Sequence, residues 1–184
     1  MRADQFPPLA ADVVEAWTAA FARRDRPYFP DVVGLQLEEL RTDYCRMRLP
    51  YRPELDQPAG VVHGGALATL IDTVVVPAVG SGYPPGWVYL TLNLDVQFLG
   101  AVRHEDAIAE GWVAQRGRSI VFCRAEVTSA SGQAVAAGTL TYKVNPPPGH
   151  RPRRAEPHPG DETSAAGRPA GSAPTLRGVA REGT

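Results

Sequence analysis

Three residues near the middle of the chain have types and spacing suited to chemistry: Gly64, Gly65 and Asp72, in the stretch VVHGGALATLIDT at 61–73. The N–H groups at a helix start lack intrahelical acceptors, and the positive end of the helix dipole points out from them. With no side chain at Gly64 or Gly65, an acyl oxygen can reach those donors, which is the geometry of an oxyanion hole. Glycines placed for close packing or an unusual turn fit the same pattern. Asp72 is a lone acid in an apolar segment. Burying an unpaired carboxylate costs about several kcal/mol, so Asp72 has a specific partner, is partly wet, or has an unusual protonation state. It then serves as a general base, or as a structural acid bonded to a neighbouring loop.

The spacing adds a statement about assembly. Gly64 and Asp72 are eight residues apart, or about 12 Å along a helix rising about 1.5 Å per residue. One carbonyl carbon cannot lie within about 3 Å of both. If both act in one reaction, the acid comes from a second copy of the helix, and the chemistry predicts a homodimer with shared active sites.

The elements that must position these groups follow from the pattern around them. Wound at about 100° per residue, 64–76 puts Leu67, Leu70, Ile71, Val74 and Val75 on a broad apolar face. Gly65, Ala68, Thr69, Asp72 and Val76 form a narrow stripe of mostly small side chains without Lys, Arg or Glu. Such a stripe suits the close approach of another backbone or a slender ligand. Pro77 is expected to kink or stop the helix. Upstream, Asp12–Arg24 reads as a short amphipathic helix ended by Pro27 and Pro30, and Val33–Leu40 and Tyr44–Leu49 read as strands joined at Arg41-Thr42-Asp43. Downstream, Leu90, Leu92, Leu94, Val96 and Phe98 alternate with Tyr89, Thr91, Asn93, Asp95 and Gln97, the period of a strand with one face toward a core. Further strands are expected at 106–115, 118–128 and 134–144. One strongly apolar helix followed by long antiparallel strands predicts an α+β fold, with the sheet wrapped round the helix.

The residues 57–65, Gln57-Pro58-Ala59-Gly60-Val61-Val62-His63-Gly64-Gly65, with Asp72 following, resemble the N-x-x-G-x-x-H-G-G-x(6)-D signature of hotdog-fold acyl-CoA thioesterases of the phenylacetic-acid-degradation (PaaI) type. The order of elements resembles that family over about 30–144. The resemblance implies hydrolysis of an acyl-CoA thioester to a free acid and CoA. It implies that the Gly64 N–H polarises the thioester carbonyl, with Gly65 beside it, and that Asp72 of the opposite subunit acts as base or nucleophile. Gln57 stands where the family has Asn; it keeps the amide but reaches one methylene further. Thr91 matches a hydroxyl that helps hold the water. His63 occupies the signature histidine, and beside a helix start we expect it to tie down the loop rather than exchange protons. Arg116 and Arg118, flanking Gly117, match basic residues near the CoA phosphates, a role that suits bidentate arginine.

Bulk properties bound the alternatives. The 184 residues suffice for one domain, and a net charge of −1 gives no pull toward nucleic acid or an anionic membrane. No apolar run spans a bilayer, and MRADQFPPLA lacks a signal peptide's apolar centre, so a cytoplasmic protein is expected. Cys45 and Cys123 lie in strand-like runs and are expected to be buried thiols. The four histidines, His63, His104, His150 and His158, have no metal-ligand spacing, and no cofactor is expected beyond the CoA of the substrate. From Asn145 the chain is rich in Pro and Gly without an aromatic residue, and 145–184 is expected to be a disordered tail behind a folded domain at 1–144. Two other readings fit a hotdog fold: an enoyl-CoA hydratase, against which Asp72 within the helix argues, and a non-catalytic acyl-CoA-binding module. Self-association as a dimer or a dimer of dimers is expected.

Overall fold

The aliphatic segment that begins at Gly64 is a helix of seventeen residues, and the rest of the fold is built round it. The structure, a computed structural model, describes residues 2–22 and 26–149; the expected tail lies outside them from 150 onward, as does the expected end of the first helix at Arg24. Three α-helices are described, α1 (Ala11–Ala22), α2 (Phe29–Val33) and α3 (Gly64–Gly80). A two-stranded ribbon pairs β3 (Asp56–Gln57) with β4 (Val61–Val62). The main sheet contains β1 (Gln36–Arg41), β2 (Tyr44–Leu49), β5 (Val88–Phe98), β6 (Ala107–Arg116), β7 (Ile120–Ser129) and β8 (Ala134–Asn145). It is antiparallel throughout, in the order β1-β2-β6-β7-β8-β5. The helix-then-strands order predicts this wrapping of a sheet round one helix, and the architecture is the hotdog fold that the resemblance implies. Among the described residues no helix is long and apolar enough to cross a membrane.

The apolar face of α3 is what the sheet encloses. Leu67, Leu70, Ile71, Val74 and Val75 are at most 2% exposed, each contributing about 1.5–3 kcal/mol by leaving water. The helix lies close enough that glycine is required beneath it. A Cβ on Gly111 of β6 would sit 2.7 Å from Val74 and 2.9 Å from Val75, and one on Gly138 of β8 would sit 2.8 Å from Ile71. Cys45 and Cys123 are buried thiols in this core, and burial pushes Cys123 up to about 12.

Four local expectations are corrected. Pro30 does not close the first helix region; it sits in the first turn of α2, where a missing N–H costs nothing, and Asp31 accepts the Tyr28 N–H at 2.7 Å to cap the turn. Val33 is therefore helical, and the first strand starts at Gln36. Pro77 does not stop α3, which continues to Gly80. The bond lost at proline costs about 3 kcal/mol, but Ala78 and Val79 are fully buried and Gly80 packs under Trp17 of α1. Burial therefore outweighs local propensity.

The fourth correction concerns β5. Its pairing with β8 slips between Thr91 and Asn93, so Leu92 is an extra residue in a β-bulge. The five-residue alternation is broken there. Thr91 stands opposite Tyr142 and Leu94 opposite Leu140, both on the buried face of β8, so Thr91 and Leu94 share the helix side. A Gly111→Ala variant should lose about 1–3 kcal/mol of unfolding free energy through overpacking against Val74 and Val75; urea denaturation reads this directly, with the m-value unchanged.

Candidate active site

The sheet covers α3 except along one stripe. Gly65 is exposed and Gly64, Ala66, Ala68, Thr69, Asp72 and Val76 are half-buried, while the remaining residues of α3 are buried. The small-residue stripe is thus the face turned away from the sheet. A cavity of about 420 Å³ opens on it, lined by Ala68, Thr69, Asp72, Thr73 and Val76 of α3, by Leu94 of β5, and by Phe21 and Phe29 of the two N-terminal helices. A second cavity, of about 380 Å³, lies at the head of the helix between His63, Gly65, Ala66, Thr69, Leu55, Asp56 and Phe29. Phe29 and Thr69 border both.

Asp72 is held by two hydroxyls. Thr91 Oγ1 donates to Asp72 Oδ1 at 2.9 Å, and the Tyr142 hydroxyl is shared between the same Oδ1 at 2.7 Å and the Asp72 main-chain oxygen at 2.8 Å. No described residue bonds Oδ2. The carboxylate is therefore both specifically partnered and partly wet. The bulge at Leu92 makes this possible, because uninterrupted alternation would turn Thr91 to the face opposite Leu94. Tyr142 is 1% exposed, and burial, with Asp72 beside it, pushes its hydroxyl far above the usual tyrosine range. It is a protonated donor.

The helix start distributes its donors unequally. His63 is the N-cap, and its Nδ1 accepts from the Gly65 N–H at 2.8 Å, so the ring proton is carried by Nε2. The Ala66 and Leu67 N–H groups donate to the His63 carbonyl at 2.9 and 3.4 Å. No described residue accepts from the Gly64 N–H, which is the open donor of the first turn. Both glycines also have packing reasons. A Cβ on Gly64 would approach the Phe98 ring to 3.1 Å, and one on Gly65 would approach His63 Nδ1 to 2.9 Å.

The other expected residues are more scattered. Gln57 is exposed in β3, opposite Val61, the residue two before His63. Arg116 turns inward; it is bonded to the Asp43 carboxylate and to the Val79 carbonyl, and it lies over the Tyr83 ring at 4.7 Å. Arg118 is exposed in the β6–β7 turn. The structure brings together Asp72 and Thr91, and separately His63, Gly64 and Gly65. Sequence reasoning did not mark Tyr142 or Phe29, and Phe21 stands out there only as part of the apolar face of the first helix. Tyr142 sits in strand alternation like any core aromatic, and only its register against Thr91 marks it.

Comparison with known proteins gives a consistent picture. Residues 59–136 match the family model described as the thioesterase superfamily. A protein of Halobacterium salinarum named "Putative esterase" is 32% identical over 123 residues, which cover 61% of this chain and 81% of that protein. Among solved structures, a conserved protein of Pseudomonas aeruginosa is similar with a TM-score of 0.62 and 28% identity, over 65% of this chain and 95% of that one. The PaaI protein of the phenylacetic acid degradation operon of Escherichia coli has a TM-score of 0.62 and 17% identity, over 71% and 94% of the respective chains, a likeness of fold.

The cap is testable without any substrate. His63→Ala should destabilise the protein by about 0.5–2 kcal/mol, whereas His63→Asn, whose amide can accept the same N–H, should lose less than half of that; thermal unfolding of the two variants beside the parent makes the comparison.

Proposed function

The chain belongs to the thioesterase superfamily, and on that premise we propose that it hydrolyses an acyl-CoA thioester to a carboxylic acid and CoA, at sites each completed by two subunits. One observation carries the reading: Asp72 has one carboxylate oxygen fixed by two donors and the other free, beside a cavity of about 420 Å³ with mostly apolar walls. In this reaction the Gly64 N–H of one subunit stabilises the carbonyl oxygen as it gains charge. Asp72 Oδ2 of the other takes a proton from water as the water oxygen bonds to the carbonyl carbon. The C–S bond then breaks, and CoA leaves as the thiolate. In the alternative route Oδ2 itself bonds to the carbonyl carbon, CoA departs, and water cleaves the resulting anhydride. Thr91 and Gln57 are assigned to orienting water and carbonyl, Gly65 to holding the helix start through His63, and the cavity walls to receiving the acyl group. Arg118, exposed, is the better placed of the two arginines for a CoA phosphate, since Arg116 is engaged with Asp43.

The shared site has a structural support of its own. β5 is an edge strand whose outer side pairs with no described strand. Leu90, Leu92, Phe98 and Leu99 on or next to it are 51–60% exposed, and Asp95 is its only charged residue. Soluble proteins blunt open edges with charge or cover them. A second copy laid antiparallel along β5 covers both edges at once and gives the two-fold symmetry that sharing requires.

Two measurements decide the matter. In a thiol-release assay on short, long and aromatic acyl-CoAs, Asp72→Asn should lower turnover by at least about 100-fold; equal rates with the parent would sink the mechanism, and no turnover by either on any substrate would favour a binding module. Gly64→Pro removes the open N–H at the first helical position, where proline is tolerated, and the half-exposed Phe98 ring can yield to it. Gly64→Pro and Asp72→Asn proteins should each be inactive, and co-refolded 1:1 they should regain about a quarter of the parent rate. Failure of the mixture to recover any activity, with both variants folded, would mean that each site lies within one chain.

A further inference from the structure

Tyr142 lies outside the signature stretch, yet it makes the shortest bond to the Asp72 side chain, 2.7 Å to Oδ1. We propose that Tyr142 is a positioning residue, whose buried hydroxyl, acting with Thr91, locks Asp72 Oδ1 so that Oδ2 alone meets the substrate. The inference rests on the hydrolytic role given to Asp72 above.

The single proton of the hydroxyl is shared between two oxygens of one residue, the Oδ1 and the main-chain oxygen of Asp72. It therefore fixes the carboxyl group relative to the helix backbone, which fixes the side-chain torsions. Thr91 approaches the same oxygen from β5, the strand opposite Tyr142 in register. Two donors on one oxygen saturate it and leave the other as the free acceptor. Two elements anchor the pair: α3, packed in the core, and β8, whose Tyr142 is fully buried. Thr91 alone anchors it less firmly, since it sits beside the bulge in β5, where the ladder is interrupted. A carboxylate free to rotate would present its two oxygens in turn, and misplacement of about 1 Å costs a reaction of this kind about 100-fold.

The test is Tyr142→Phe in the thiol-release assay, in the full chain, beside Asp72→Asn and the double variant. The expected result is a fall in kcat of about 10- to 100-fold, the effect of losing a hydrogen bond to a charged group, with KM within about twofold of the parent. In the Asp72→Asn background the same change should cause no further loss, because the two act as a unit. A marked rise in KM alongside the fall in kcat, or an equal loss in both backgrounds, would reduce Tyr142 to a packing residue and overturn the proposal, as would an unchanged kcat. Should the space left by phenylalanine unfold the chain, 4-fluorophenylalanine at 142 fills it without donating and gives the same comparison. If Asp72→Asn itself retains parent activity, the hydrolytic reading of Asp72 fails instead, and the two failures are told apart within one experiment.

Discussion

Everything in this molecule depends on how closely α3 approaches the sheet. Gly111 and Gly138 lie beneath the helix, where any side chain would collide with Val74, Val75 or Ile71. At that distance the strands enclose the aliphatic face completely, and one stripe of α3 is left over. Small side chains at Gly65, Ala68 and Thr69 leave room along it for the two cavities. Asp72 belongs to the same line. Its carboxylate can be tolerated there because the wrapping strands also bring hydroxyls to it, Thr91 from β5 and Tyr142 from β8. A polar group in this position without such partners would cost about 1–3 kcal/mol or more.

The open edge of β5 follows from the same wrapping. A sheet that curls round one helix ends in two edges, and here they are treated differently. β1 is followed inward by β2, it is met at Arg41 by a bridge from Pro8, and α1 packs against it. β5 has no such cover among the described residues, yet it is one of the most apolar strands in the chain and contributes Thr91 and Leu94 to the cavity beside Asp72. The strand that finishes the site is therefore the strand that a second copy would cover. In the proposed reaction, assembly and chemistry are thus one constraint, and a change on β5 acts on both.

Much of this was legible in the residues. Periodicity alone separates the enclosed face of α3 from its stripe, because five large aliphatics and five small or short side chains fall on different sides of one helix. The hairpins β1–β2, β6–β7 and β7–β8 are legible too, since alternating runs with short turns between them pair with their neighbours, but the pairings of β2 with β6 and of β5 with β8 join strands distant in the chain and leave no such mark. What failed was reasoning from single residues whose local meaning is overruled by packing. Pro30 and Pro77 are helix breakers by propensity, but one occupies a first turn and the other lies in a buried segment whose apolar contacts outweigh the missing bond. The Leu92 bulge was hidden by its own chemistry: three leucines at spacing two look like perfect alternation, and nothing in them says that the middle one is extra. Tyr142 was hidden for a related reason, because an aromatic in a buried strand reads as core until its register against Thr91 is known.

Gly64 and Gly65 raise a choice between packing and chemistry, and in the proposed reaction each reading has a share. Packing explains the missing side chains: the Phe98 ring lies against one glycine and the His63 imidazole against the other. It does not explain the donors. The cap consumes the Gly65 N–H, and the His63 carbonyl takes those of Ala66 and Leu67. A helix start normally leaves several N–H groups seeking acceptors; here the accounting leaves one, at Gly64, with the helix dipole behind it. A single open donor at one end of α3 and a single open carboxylate oxygen further along the same stripe are each half of what acyl transfer needs. About 12 Å of helix separates them, so a chain that uses both must bring the second half from elsewhere, and in the proposed assembly the edge of β5, uncovered among the described residues, is where another copy supplies it.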